Sequence, residues 1–403
     1  MSDNIPFEIQ VEIIKRLPVN SLVQLRSVSK RWKSLIESRE FIAGYNLHQA
    51  QTRRLLLWYE YPLIDTEEKH VSFIHDHTFS QQESTITVPV LAKLLNDSLI
   101  VGSSQGLLCF YGYDRIPGHY RYNSLRQMSV LWNPSIRKSV GIVVPGVLRW
   151  GLETILGFGV CPIANDPTIV KITQVNINWE MKSRVIVPRV VEVFTLSSGT
   201  WRLIPPSNLF NKLIKVTWSQ VVIDRFIHWF AFDKIVSVDG GGGGGGGFST
   251  KNLILSFDMS TQEFREVELP ESLAHQSYSN MSVSNLWDSL AVLEYGTKMN
   301  KHVCNVWVAD RGVRNLFTKI FTINAPYASI KTLGFTKSGQ AIIEVKDSCK
   351  EEAALVVYEP CSGDINNIGI YGNCGSLFVG SYMETLLLVD KSDCTVYCNV
   401  NQI

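Results

Sequence analysis

A small all-α unit of three to four short helices over residues 1–48, followed by a large all-β body over residues 49–403, is the fold class this sequence predicts. Three observations predict it. Apolar residues recur at helical spacing only near the start of the chain. From Arg53 onward, short apolar or alternating runs are separated by Gly, Asn, Asp, Ser and Pro turns, which is the pattern of strands. Within that β region one strand–turn–strand outline returns at intervals of 50 to 63 residues.

The helical unit reads in order. Pro6 suits the first turn of a helix, where its missing N–H would have no partner anyway. Ile9, Ile13 and Leu17 recur every four residues with Ile14 beside them, one apolar stripe. Pro18 ends that helix. Asn20 or Ser21 is the expected N-cap of a second helix through Leu22 and Leu25. Ser29 is the expected cap of a third, with Trp32, Leu35 and Ile36 on one face, and Arg39 to Gln49 reads as a fourth. Units below about 40 residues rarely stand without a disulfide, a metal or a partner. No cysteine precedes Cys109, so a partner is expected to cover the apolar surface.

The β body is organised by its repeats. Val193-Phe194 to Trp201-Arg202 and Ser256-Phe257 to Phe264-Arg265 each put one aromatic residue seven positions before another, with a polar turn between. Leu131-Trp132-Asn133-Pro134-Ser135-Ile136-Arg137-Lys138 and Val357-Tyr358 to Asp364-Ile365 repeat the outline, and Val306-Trp307 begins a looser copy. The leading aromatics at 132, 194, 257, 307 and 358 are 62, 63, 50 and 51 residues apart, and a unit around Trp58 makes a sixth. One four-stranded sheet cannot bury both faces, but a closed ring of them can. The repeats therefore predict a kelch-like β-propeller of six blades, with seven as the alternative. Leu386-Leu387-Leu388-Val389 reads as one more strand. Gly240 to Gly247 reads as a flexible internal loop spanning about 16 Å.

Composition excludes several function classes. Lys plus Arg total 38 against 37 acidic residues, so no global field draws the chain to nucleic acid or membrane. No early apolar run resembles a signal peptide, and none approaches the ~18 residues of a membrane span. The cysteines read as reduced thiols of a cytoplasmic or nuclear protein. Those gathered at Cys349, Cys361, Cys374, Cys394 and Cys398 form no CxxC pair. Cys394 and Cys398 on one strand would stand about 13 Å apart, too far to share a zinc. They are expected to be buried structural thiols.

No motif with catalytic chemistry finds its context. Gly102-Ser103-Ser104-Gln105-Gly106 matches GxSxG, but Leu107 to Tyr111 continues as a strand where a nucleophile elbow needs a helix. A hairpin turn is expected there. The glycine run lacks the Lys-Ser/Thr of a phosphate-binding loop. His75-Asp76-His77 has no third ligand nearby, and Glu67-Glu68 and Glu351-Glu352 sit in polar surroundings. No cofactor and no metal are called for. Trp150, Trp179 and Trp218 fall beside turns. Arg149 and Trp150, flanked by Gly146 and Gly151, have the composition of an exposed contact loop and are the candidate recognition residues, with core packing the alternative reading of each of these tryptophans.

Pro6, Glu8, Glu12-Ile13-Ile14, Leu17-Pro18-Val19, Ser21-Leu22, Arg26, Val28-Ser29-Lys30 and Trp32 together resemble an F-box, with Ile5-Pro6-Phe7 where the family usually has Leu-Pro. The strand segments resemble the plant F-box-associated domain. The matching pieces are Gly106-Leu107-Leu108-Cys109, Leu131 to Lys138, Gly157-Phe158-Gly159, Val191 to Arg202, His228 to Ala231, Ile254 to Pro270, Leu333 to Phe335, and Val356 to Tyr358. Val160-Cys161-Pro162 departs from the usual Tyr-Asp and puts one loop in doubt. The resemblance implies an F-box that binds a Skp-type adaptor and through it a cullin, with a propeller that recruits an unidentified target protein for ubiquitination. It implies a non-catalytic subunit. It places Pro6, Ile9, Ile13, Leu17, Pro18, Leu22, Val28 and Trp32 on the adaptor-facing surface or in its local support. The other readings are a propeller that binds a small molecule or glycan, and an F-box protein acting outside ubiquitination.

Overall fold

The computed structural model describes residues 5–49, 54–62, 67–74, 81–82, 87–115, 125–146, 151–175, 190–205, 214–236, 248–299, 301–310, 312–313, 315–346 and 352–398. It opens with helices α1 (Phe7–Ile14), α2 (Val19–Leu25), α3 (Lys30–Ile36) and α4 (Arg39–Gln49). Ser29 accepts the Trp32 N–H at 3.2 Å and caps α3 as expected. α2 departs from expectation. Pro18, in extended backbone, is its N-cap residue, and Asn20 and Ser21 lie inside the helix. The cap comes from the far end of the chain, where Glu384 Oε2 accepts the Val19 N–H at 3.1 Å. A carboxylate suits the unpaired donors and partial positive charge of a helix start.

Among the described residues the strands form six sheets, not seven, antiparallel but for one parallel pair. Blade 2 contains β4 (Asn96–Ser104), β5 (Leu107–Arg115), β6 (Leu125–Asn133) and β7 (Lys138–Val143). Blade 3 contains β8 (Leu152–Cys161), β9 (Asp166–Val175), β10 (Val190–Thr195) and β11 (Thr200–Ile204). Blade 4 contains β12 (Ile214–Ile223), β13 (Phe226–Val236), β14 (Phe248–Asp258) and β15 (Glu263–Glu268). Blade 5 contains β16 (Met281–Leu286), β17 (Ser289–Lys298), β18 (Lys301–Ala309) and β19 (Phe317–Asn324). Blade 6 contains β20 (Ser329–Phe335), β21 (Ala341–Lys346), β22 (Glu352–Tyr358) and β23 (Ile365–Asn373). Blade 1 is split, with β1 (Arg54–Pro62), β2 (Glu67–Ile74) and β3 (Gln81–Gln82) completed on the inside by β24 (Phe378–Tyr382). The inner strands touch in the cyclic order β24, β4, β8, β12, β16, β20, which closes the ring. Two short helices, α5 (Val90–Lys93) and α6 (Glu271–Ala274), sit in inter-blade connections. The glycine run falls between β13 and β14, outside the described residues.

The repeated outline is a hairpin between the third and fourth strands of a blade. Phe194 pairs directly with Trp201, their rings 5.5 Å apart, and Phe257 pairs with Phe264 at 4.9 Å. Seven residues is thus the spacing of cross-strand neighbours around a short turn. Trp132, Trp307 and Tyr358 occupy third strands as well. Trp58 does not: it lies on β1, a second strand, because β24 takes the innermost place in blade 1. Phe73, on β2, holds the corresponding third-strand position.

Glycine lets the blades approach. A Cβ at Gly157 would stand 2.0 Å from the Trp229 ring, so the Gly157-Phe158-Gly159 run gives the blade 4 indole a seat on blade 3. Gln220 is a suture of the same kind. Its amide donates to Val101 O at 2.6 Å and accepts the Phe158 N–H at 3.1 Å, tying blades 2, 3 and 4. The GxSxG segment is the β4–β5 hairpin, with Gln105 (φ 44°) and Gly106 (φ 80°) at its corner. Ser104 Oγ accepts the Val160 N–H of blade 3 at 3.0 Å.

Two expectations about the last residues are corrected. Leu386-Leu387-Leu388-Val389 is not a strand. Val389 N–H turns back to Leu386 O, Lys391 N–H to Leu388 O, and Leu388 has φ 69°. The segment is a strap that leaves β24, crosses beneath blade 2 and ends in β25 (Thr395–Tyr397), which pairs parallel with the outer edge of β7. The cysteines of this region are exposed rather than buried. Cys361 and Cys374 lie in turns, and Cys394 and Cys398 flank β25. The buried thiols are Cys109, Cys161 and Cys304, and Cys349 lies outside the described residues.

Candidate protein-interaction site

The helical unit has two sides. Ile14, Val19, Leu22, Ile36, Phe41, Ile42 and Tyr45 are buried in one cluster with Leu386 to Val389 of the strap and with side chains of blades 2 and 3. On this side the expected covering surface is the chain's own propeller rather than a separate partner. Polar groups finish the seam. Tyr45 Oη donates to Glu384 Oε2 at 3.4 Å, and Thr385 Oγ1 donates to Asn46 Oδ1 at 2.9 Å. Asn46 Nδ2 donates to Asn165 Oδ1 at 3.5 Å. Burial, with the Glu384 carboxylate beside it, pushes the Tyr45 phenol far above its usual range, so it stays a donor.

The eight adaptor candidates divide across these two sides. Leu22 is fully buried against the propeller. Leu17 and Trp32 are half-buried at the cluster's margin. Pro6, Ile9, Ile13, Pro18 and Val28 face outward, with Ile9 53 %, Ile13 44 % and Val28 66 % exposed. Ile9 and Ile13 are one turn apart on α1, so they share a face. Trp32 is fixed by the Phe7 ring at 5.6 Å, and Arg31 lies over that ring at 3.6 Å. Arg26 and Glu37 form an ion pair, with Arg26 Nε 3.0 Å from the carboxylate, and this joins the end of α2 to the end of α3.

A second candidate surface lies at the opposite end of the ring. Strand direction assigns the ends. The β4–β5 turn at Gly106 meets Met383 and Thr385, and Asn165 of the β8–β9 turn meets α4, so first-to-second strand turns face the helices. Second-to-third strand connections join strand ends on the far face. There a cavity of about 560 Å³ opens between blades 2 and 3. Tyr111, Tyr113 and Trp218 form an aromatic wall, with the Trp218 ring tilted against Tyr111 at 5.6 Å between centroids. Lys171 and Glu192 pair at 2.6 Å, and Tyr111 Oη donates to Gln127 Oε1 at 2.8 Å. Arg149, Trp150 and Trp179 lie outside the described residues, but Pro145, Gly146 and Leu152, which flank 147–150, line this cavity. A larger cavity of about 700 Å³ occupies the central channel between the inner strands.

The residues that sequence reasoning missed are those of the seam: Asn46, Glu384 and Thr385. The apolar run after them was the available signal, but it was compatible with an ordinary strand. Asn133 was visible only as part of a repeat. Buried in the structure, its amide donates to Thr385 O at 2.9 Å and Leu387 O at 2.6 Å and so seats the strap.

A helical docking unit seated on one end of a six-bladed propeller defines a class of two-surface interaction proteins. Residues 2–43 match the F-box domain, and residues 120–385 match the F-box associated beta propeller domain. The chain belongs to this family of F-box proteins. Among similar proteins of Arabidopsis thaliana, the F-box protein CPR1 is 24 % identical over 398 residues, covering 90 % of this chain and 91 % of that protein. F-box protein At4g19940 is 22 % identical, covering 91 % of this chain and 86 % of its own length. F-box/kelch-repeat protein At3g23880 is 23 % identical, covering 76 % of this chain and 75 % of that protein. Residues 44–119 fall outside both matched segments, yet they supply α4's last turn, three strands of blade 1 and the first two of blade 2.

Proposed function

We propose that this chain is the substrate-recognition subunit of an SCF-type cullin–RING ubiquitin ligase, acting in the cytoplasm or nucleus. On this reading α1–α3 bind a Skp-type adaptor through Ile9, Ile13, Val28 and their neighbours, and the far face of the propeller holds the target. The chain contributes no bond-making step. It raises the effective concentration of target lysines near the ubiquitin-charged enzyme. The observation that carries the reading is the exposed apolar set on helices whose other side is buried against the propeller, within the family shown above. Exposed apolar residues gathered on one face mark a protein contact.

Co-purification of the full chain with a Skp-type adaptor tests this, beside an Ile9→Asp, Ile13→Asp variant. The wild type is expected to bind and the variant to lose binding. Failure of the wild type to bind would sink the proposal. A second reading places a small molecule or glycan in the central channel, supported by a cavity of drug-sized volume with Ser103, Asn285 and Thr336 on its wall. It predicts ligand-dependent thermal stabilisation of the full chain in a metabolite and oligosaccharide screen, and a flat response across the screen counts against it.

A further inference from the structure

The seam under the helices is built by the segment that closes the ring. β24 pairs with β1 to complete blade 1, and the strap begins directly afterwards at Met383. Glu384 then accepts from the Val19 N–H and the Tyr45 hydroxyl, and Thr385 Oγ1 donates to Asn46 Oδ1. Leu386 to Val389 enter the cluster that buries Ile14, Leu22, Ile36 and Phe41. Blade 2 grips the other side of the strap. Asn133 donates to Thr385 O and Leu387 O, Lys138 Nζ donates to Val389 O at 2.7 Å, and Cys394 N–H donates to Ser139 O at 2.9 Å. Leu388 holds φ 69°, a backbone state that a branched side chain rarely adopts. Such a conformation persists where its flanks are fixed, as they are here by Asn133 and Lys138.

Four helices of this length have little core of their own. Their buried side chains rest on a strap that follows directly on β24, the strand that completes blade 1. We propose that the strap makes adaptor binding conditional on ring closure. The helices hold their adaptor-facing arrangement when residues 383–394 lie beneath blade 2, and a receptor with an open ring does not load onto the ligase. The proposal rests on the adaptor-binding reading above. Linkage makes it reciprocal, so a bound adaptor holds the strap and β24 in place.

The test uses the full chain and compares Glu384→Ala with Glu384→Gln, which keeps an acceptor for Val19. Glu384 is half-buried at the seam, so neither change hollows the core. Hydrogen exchange reads the amides of residues 7–49 against those of β13 and β17 in the same sample, and titration with a purified Skp-type adaptor gives Kd. Loss of a charged acceptor predicts about tenfold faster exchange in the helices and about tenfold weaker adaptor binding for Glu384→Ala. Exchange in β13 and β17 is expected to stay unchanged, Glu384→Gln to stay near wild type, and saturating adaptor to slow exchange in β24 and the strap of the wild type. Unchanged helix exchange in Glu384→Ala overturns the proposal. So does faster exchange with an unaltered Kd, because the adaptor would then order the helices unaided. If the wild type binds no adaptor, the receptor reading itself fails and takes the proposal with it, an outcome distinct from the other two.

Discussion

Gly157 carries an inter-blade contact, and His228 a buried hydrogen bond within blade 4. Trp229 is fully buried with its ring against the bare backbone of Gly157, where a Cβ would sit 2.0 Å from a ring carbon. The indole is hemmed in by the cluster of blades 3 and 4 and has nowhere to move. Gly157→Ala is therefore expected to destabilise the fold by about 1–3 kcal/mol or more, the usual cost of overpacking, read as a lower urea midpoint. His228 tests burial of a base. Its Nδ1 lies 2.7 Å from Ser256 Oγ, and burial lowers the imidazole from 6.5 to about 4. The folded state thus holds His228 neutral where the unfolded chain would protonate it. Stability is full above about pH 6.5, falls as pH drops through the window from about 6.5 to about 4, and levels off below. At pH 5 the loss is about 1–2 kcal/mol, and a His228→Gln chain is expected to show a shallower fall in Tm between pH 7 and pH 5. Sequence exposed the Gly157-Phe158-Gly159 run but not its occupant. A glycine announces a close approach, whereas the approaching ring comes from a strand some seventy residues later.

At the scale of elements, the hairpin repeat was legible because it is local. Aromatic residues seven apart around a turn pair across the same two strands, and both ends of the interaction lie in one short stretch of chain. The blade 1 register was not legible. Trp58 has the right residue type at a plausible distance, but ring closure puts β24 inside β1 and shifts every strand of that blade outward by one. The strap was hidden for the same reason: its apolar run satisfies the pattern of a strand, and only Asn133, Lys138 and Ser139, about 250 residues earlier in the chain, decide otherwise. Asn133 is the test of that account. It is fully buried and donates to two strap carbonyls while accepting the Ser135 N–H. Asn133→Ala leaves those buried groups without partners and is expected to cost about 2–4 kcal/mol. Limited proteolysis should then cut within 383–394 before it cuts β13 or β17. Intact protection of the strap in that variant would show that Asn133 does not seat it.

For the whole molecule, the position of the two surfaces separates the effects of mutation. The adaptor candidates were identified as a set because the F-box pattern is a pattern of residue types, and type alone does not say which side of a helix the propeller covers. The structure divides the set by exposure, and the division predicts phenotypes. Ile9 and Ile13 are 53 % and 44 % exposed and lie outside the buried cluster of the described residues, so Ile9→Asp with Ile13→Asp is expected to leave unfolding within about 0.5 kcal/mol of wild type. The same pair should weaken adaptor binding about a hundredfold, as removal of a central apolar contact does. Leu22→Asp should do the reverse in order of cause, because a carboxylate forced into the cluster beneath the strap unfolds the seam and loses the adaptor only as a consequence. At the other end, Tyr113→Ala with Trp218→Ala removes two of the three rings in the aromatic wall of the far cavity. That variant is expected to keep its adaptor Kd and its Tm while losing the proteins captured by the wild type when ubiquitin transfer is blocked. An unchanged set of captured proteins would move target recognition off this cavity to another part of the far face. A weakened adaptor Kd would contradict the separation of the two surfaces.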